Sequence, residues 1–215
     1  MKLLARVKIC GLKREDDVLC VNRHLPDFAG FVFAESPRRI SPETAEKLAE
    51  MLDKRIKRVG VFVNESMDTA VEIFKRCRLD IIQLHGDETP EYVDRMRAAA
   101  PEAVLWKAVR IKNAGSINGL KNCNADFFVL DAFSKLRYGG TGEAFDWKIA
   151  AGSGFCDKIV IAGGLTALNV REAIRIARPY AVDASSGVET DGYKDEAKIR
   201  DFIRAVRCEE REVVS

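Results

Sequence analysis

Eight short apolar runs, each followed by a stretch of helical patterning, predict a single (β/α)8 TIM barrel of the α/β class. Strands that alternate with helices pair in parallel. The runs are apolar nearly throughout rather than at every second residue, as expected of strands covered on both faces. No break in composition marks a linker anywhere in the 215 residues. An open doubly wound sheet is the rival, but a chain of this size usually builds one from fewer strands. The barrel is expected over residues 1–208, with 209–215 as a frayed, charged tail.

Taken in order, Ala5 to Cys10 reads as a strand and Lys13 to Asn22 as a helix. Phe28 to Phe33 is nearly all apolar. Ser41-Pro42, an N-cap followed by proline at the first helical position, opens a helix to about Leu52. Arg58 to Val63 is the third strand, and Asn64 to Ser66 caps a helix to about Cys77 whose Ala70, Val71 and Phe74 fall at helical spacing. Ile81 to Leu84 precedes His85-Gly86, and Thr89-Pro90 repeats the cap-plus-proline device for a helix to about Ala100. Val104 to Val109 is the fifth strand, followed by a weakly patterned helix around Ser116 to Lys121. Phe127 to Asp131 leads into a polar loop, Ala132 to Asp146, and a short helix near Trp147. Lys158 to Ala162 ends in Gly163-Gly164, and Thr166 caps a helix to about Ala177. Ala181 to Ala184 and a helix over Asp195 to Arg207 complete the barrel.

Composition narrows the function classes. Hydrophobic residues are 47%, charged residues 32%, and the formal net charge is +2, which gives no case for nucleic acid or a membrane as partner. The six cysteines are scattered without a CxxC pair or zinc spacing, so free thiols in a reducing cytoplasm are expected. The start, Met1-Lys2-Leu3-Leu4-Ala5, lacks the apolar region of a signal peptide. Composition does not name the small-molecule partner, which the glycine and serine turns after the seventh and eighth strands mark as phosphorylated, and it does not decide between a monomer and a homodimer.

The carboxyl ends of the strands, where barrels place their chemistry, collect the candidates. Lys8-Ile9-Cys10-Gly11 ends the first strand on a thiol, which is either a small buried packing residue or a reacting group. If Cys10 points into the mouth, Lys8 points inward one layer below and favours the thiolate, the form able to abstract a proton. Alternatively, Lys8 pairs with an inward acid such as Asp183 and serves stability. Arg38, in the loop after the second strand, offers a planar fork for a carboxylate or phosphate. Asp131 ends Phe-Phe-Val-Leu-Asp, where burial favours the neutral, proton-donating form of a carboxyl; a loop cap or salt bridge is the plain alternative. His85 reads most simply as a turn residue whose ring bonds backbone. Gly163-Gly164 and Ser185-Ser186-Gly187 follow the seventh and eighth strands, where barrels often bind phosphate through backbone N–H groups. Gly140 and Gly142, in Gly139-Gly140-Thr141-Gly142, add amides to the same anion or form a hinged lid.

At these motifs the sequence resembles the phosphoribosylanthranilate isomerases over essentially its whole length. The resemblance rests on Lys8 to Gly11, Gly30 to Phe33 with Ser36-Pro37-Arg38, Val59 to Asn64 and Gln83 to Gly86. It continues through Leu130-Asp131, Tyr138 to Gly142 with Phe145-Asp146-Trp147, Ala162 to Leu165, and Val182-Asp183 with Ser185 to Glu189. It implies a (β/α)8 barrel catalysing an Amadori rearrangement of N-(5'-phosphoribosyl)anthranilate, with no cofactor and no metal. It also implies that Cys10 is the general base, Asp131 the general acid and Arg38 the site of the anthranilate carboxylate. The glycine and serine turns hold phosphate, and Asp183 lies beside the ribose. The sequence departs from the family at Leu12-Lys13-Arg14, where a threonine often follows the glycine, and over 132–137. A histidine-pathway sugar-phosphate isomerase is the nearest rival, but that relative carries aspartate at the position of Cys10 and a half-barrel repeat with two phosphate sites. A silent barrel used as a binding module has no chemical need for Cys10, Asp131 and Arg38 together.

Overall fold

The structure is a computed structural model that describes residues 5–132 and 145–208. Eight parallel strands close into a barrel in sequence order: β1 (Arg6–Cys10), β2 (Phe28–Val32), β3 (Lys57–Phe62), β4 (Ile81–Leu84), β5 (Val104–Ile111), β6 (Phe127–Ala132), β7 (Ile159–Ile161) and β8 (Ala181–Ala184). Helices α1 (Glu15–His24), α2 (Pro42–Met51), α3 (Met67–Arg76), α4 (Pro90–Ala99), α5 (Lys148–Ala151), α6 (Val170–Ala177) and α7 (Glu196–Cys208) lie between and after the strands.

The apolar strands bury two separate cores because alternate side chains face opposite ways. Val7, Ile9, Phe31, Phe62, Leu84 and Leu130 face outward and pack under the helices. Cys10, Val32, Val61, Trp106, Val129 and Val160 face inward and fill the barrel. Aromatic rings plug its amino-terminal end: Phe28 meets Trp106 edge-on with centroids 5.0 Å apart, and Phe127 lies 4.0 Å from Tyr180. Above this plug the inward polar side chains begin with Lys8 and gather toward the carboxyl-terminal mouth.

The caps read from sequence are present. Ser41, Ser66 and Thr89 each accept from the backbone N–H three residues on, at 3.2, 3.2 and 3.3 Å. Thr166 is different. Its backbone N–H donates to Asn169 Oδ1, and its hydroxyl accepts from Leu168 N–H, so residues 166–169 form a local turn and α6 starts at Val170. The expected helix around Ser116 to Lys121 is two 3-10 turns, Ala114–Ile117 and Leu120–Asn122, parted at Gly119 where helix propensity is lowest.

One element went unread in the sequence. After a 3-10 turn at Ser186–Val188, strands β9 (Glu189–Thr190) and β10 (Tyr193–Lys194) form a small antiparallel hairpin. Asp191 and Gly192 both have positive φ, 52° and 76°, the Asp-Gly turn that suits the twist of a hairpin.

Candidate active site

Strand alternation brings the titratable groups together. Cys10 and Lys8 share the inner face of β1, and the register of β1 against β8 sets Lys8 opposite Asp183. Lys8 is fully buried and donates to Asp183 Oδ2 at 2.6 Å. Burial pulls its ammonium down, but Asp183 and then Cys10 outweigh that, so Lys8 is shifted up and stays charged. Both expectations for Lys8 therefore meet in one geometry: it pairs with Asp183 and stands beneath the thiol. Burial pushes the Cys10 thiol up; Lys8 pulls it down, Asp183 pushes it up and Lys194 pulls it down, with a net upward shift. Asp183 Oδ1 is buried and has no hydrogen-bond partner among the described residues.

Asp131, buried at the end of β6, accepts from Ala132 N–H through Oδ1 at 2.9 Å. Its Oδ2 is 3.2 Å from His85 Nε2, and Gln83 Nε2 is 2.7 Å from His85 Nδ1. The His85 ring thus bonds two side chains rather than the backbone expected from sequence. Its turn is fixed from the side. Glu88 accepts from Gly86 N–H at 3.0 Å and from Lys107 Nζ at 3.0 Å, while Lys107 also donates to the Gly86 carbonyl at 2.8 Å.

Arg38 reaches the mouth across Gly11. A Cβ at Gly11 would stand 2.5 Å from Arg38 Cδ, and the φ of +88° there suits only glycine, so the first-strand motif needs a residue without a side chain at this point. The guanidinium is not solitary. Its Nε donates to Glu189 Oε1 at 2.8 Å and its Nη2 to Glu189 Oε2 at 2.7 Å. Lys194, from the other strand of the hairpin, donates to Glu189 Oε1 at 2.7 Å and to the Ser185 carbonyl at 3.2 Å.

The two turns after β7 and β8 touch: the Cα of Gly187 lies against the Leu165 carbonyl, where any Cβ would collide. Asn169 Nδ2 donates to the Gly164 carbonyl at 2.9 Å and shapes the first turn, while the Ser185 hydroxyl donates to the Cys10 carbonyl at 2.9 Å and ties the second to β1. Among the described residues nothing accepts from the backbone N–H groups of Gly163, Gly164, Ser186 and Gly187. Unpaired N–H groups collected in one place are what an anion site requires.

A cavity of about 620 Å³ joins these parts. Its lining includes Cys10, Arg38, Asp131, Asp183, His85, Gly163, Gly164 and Ser185 to Gly187. Gly140 and Gly142 lie outside the described residues. Lys194 is absent from the sequence motifs, and Gln83 and Glu189, though within them, carry no role legible in the sequence. Asp191-Gly192 is the signal that marks the hairpin carrying Glu189 and Lys194, whereas Gln83 reads as one polar residue in a buried strand.

Fold and site define a (β/α)8-barrel enzyme with its polar groups gathered at the carboxyl ends of the strands. The chain belongs to the N-(5'-phosphoribosyl)anthranilate isomerase family: the family model described as N-(5'phosphoribosyl)anthranilate (PRA) isomerase matches residues 7–205. It is 51% identical over 207 residues to N-(5'-phosphoribosyl)anthranilate isomerase of Acetivibrio thermocellus, covering 94% of this chain and 95% of that one. A crystal structure of a monomeric form of dimeric phosphoribosylanthranilate isomerase from Thermotoga maritima superposes with a TM-score of 0.82 at 36% identity, covering 95% of this chain and all of that one. Another phosphoribosylanthranilate isomerase, crystallised with reduced 1-(o-carboxyphenylamino)-1-deoxyribulose 5-phosphate, gives 0.81 at 35% identity with coverage of 95% and 100%.

Proposed function

We propose that this protein converts N-(5'-phosphoribosyl)anthranilate to 1-(2-carboxyphenylamino)-1-deoxyribulose 5-phosphate in tryptophan biosynthesis, with Cys10 as general base and Asp131 as general acid. The observation that carries the assignment is that both groups line one cavity with Arg38 and four unpaired backbone N–H groups.

Asp131 donates its proton to the furanose ring oxygen. The C1–O bond breaks as the anthranilate nitrogen shares its lone pair with C1, giving a protonated Schiff base. Cys10, as thiolate, takes the proton from C2, and that electron pair forms the C1=C2 bond of a neutral enolamine. The enolamine gains a proton at C1 and loses one from the C2 hydroxyl, leaving the ketone. The steps move only protons, exchanged with Asp131 and Cys10, and electron pairs of the substrate, so the reaction as written requires no cofactor or metal. Each side-chain proton transfer contributes roughly two to four orders of magnitude in rate.

Arg38 faces the anthranilate carboxylate. Gly163, Gly164, Ser186 and Gly187 receive the 5'-phosphate through their amides, with Ser185 completing the turn; Gly140 and Gly142 add theirs from the loop after β6. The unpartnered Oδ1 of Asp183 accepts from a ribose hydroxyl. No described helix is long and apolar enough to cross a membrane. The free thiols and the substrate suit a cytoplasmic location. Mixing purified protein with N-(5'-phosphoribosyl)anthranilate tests the function: the anthranilate fluorescence decays as the rearranged product forms, and a trace matching the protein-free control would reject the assignment.

A further inference from the structure

Arg38 is the residue assigned to the substrate's carboxylate, yet its fork already holds one carboxylate. Glu189 occupies the Nε/Nη2 edge at 2.8 and 2.7 Å. Nη1 makes no hydrogen bond among the described residues, and the side chain lines the cavity. A guanidinium presents five donors in a fixed plane, so one edge can be held while its end still serves a second acceptor.

Charge points the same way. Glu189 is held on its other side by Lys194, whose side chain is wholly buried, while the Glu189 side chain is 8% exposed. By formal charge Arg38 and Lys194 are two cations against the single anion Glu189, one anion short of balance at the wall of the cavity, although burial shifts Lys194 down against the pull of Glu189. The hairpin that supplies Glu189 and Lys194 is itself fastened: Tyr193, between them, stacks under Arg14 at 3.9 Å and Lys13 at 4.8 Å, and Lys13 donates to the Pro37 carbonyl beside Arg38.

We propose that Glu189, braced by Lys194, is a positioning residue that aims the free end of Arg38 into the cavity, so that the Arg38–Glu189–Lys194 group selects substrates bearing an aryl carboxylate. The inference rests on the assignment of Arg38 above. Glu189 is shifted down despite its burial, through its bonds to Arg38 and its attraction to Lys194, which keeps it an anion.

The test compares kcat/KM for N-(5'-phosphoribosyl)anthranilate with that for N-(5'-phosphoribosyl)aniline, which lacks the carboxylate. In Glu189→Gln the preference for the carboxylated substrate should fall by about tenfold or more, mainly through KM, as for a lost charge-assisted contact. Glu189→Gln combined with Lys194→Met removes both buried charges and should show the same fall if the single variant folds poorly. An unchanged ratio in either folded variant, or a higher one, overturns the proposal, the latter by making Glu189 a competitor for Arg38. Arg38→Met separates the two levels. If its ratio falls while that of Glu189→Gln does not, Arg38 binds carboxylate without Glu189; if its ratio holds, the assignment of Arg38 fails and the proposal with it.

Discussion

His85 Nε2 stands 3.2 Å from Asp131 Oδ2, and both side chains are nearly buried at the barrel mouth. With Gln83 donating to Nδ1, the ring's Nε2–H donates to the carboxylate, the arrangement that follows proton transfer from Asp131 to substrate. An acid-loaded Asp131 reverses the bond and requires the amide of Gln83 to present its oxygen. Gln83 Oε1 is buried without a partner, so the amide has no competing bond that opposes this turn.

His85→Ala should therefore disturb the acid while leaving the substrate anchors in place. A fall in kcat of roughly ten- to a hundredfold with KM changed little is expected, within the range for general acid catalysis. Steady-state kinetics beside the wild type supplies the check; a loss confined to KM would place His85 in binding instead.

The thiol of Cys10 gives a pH prediction. Burial dominates and shifts it up, so the thiolate is scarce at neutral pH and alkylation by iodoacetamide should accelerate up to a midpoint above that of an ordinary cysteine. Lys8 favours the thiolate, so Lys8→Met should raise the midpoint further, and Asp183→Asn should lower it. The linked stability has a definite sign. A group raised in the folded state stabilises it below the unfolded thiol's pKa and loses that contribution as pH rises through the folded value. A profile in Lys8→Met identical to the wild type would remove Lys8 from thiol activation.

Lys8 and Asp183 also make a buried ion pair at 2.6 Å, where removing one partner strands the other. Lys8→Met should cost about 3–5 kcal/mol in urea unfolding, and adding Asp183→Asn should recover much of it. A double variant that loses the sum of what Lys8→Met and Asp183→Asn lose singly would mean that the pair is not coupled.

Gly187 rests against the Leu165 carbonyl, so Gly187→Ala must force the two anion-binding turns apart. The substrate KM should rise by roughly tenfold, the scale of losing charged hydrogen bonds, with inhibition by inorganic phosphate weakened in step. Unaltered phosphate inhibition would place the phosphate elsewhere.

Much of this was legible in the chain because strand periodicity dictates it. Once β1 is apolar and Cys10 faces the mouth, Lys8 must face inward too, and its pairing with Asp183 follows from barrel closure between β1 and β8. Positions at strand ends translate directly into positions around one rim, which is why Asp131, Asp183 and the glycine turns meet. Contacts set by loop shape were not legible. The Arg38–Glu189 pair joins residues 151 apart through a hairpin too short to give a strand pattern. Thr166 looked like a cap because hydroxyls serve caps and local turns alike, and only the side chain of Asn169 decides between them.

Cys10 and Asp131 are assigned the two side-chain proton transfers, and turnover of their isosteric variants reports on both. Fluorescence decay of N-(5'-phosphoribosyl)anthranilate should slow by at least about a hundredfold in both Cys10→Ser and Asp131→Asn, with thermal unfolding close to that of the wild type. Turnover within a few-fold of the wild type in either folded variant would contradict the role assigned to that residue.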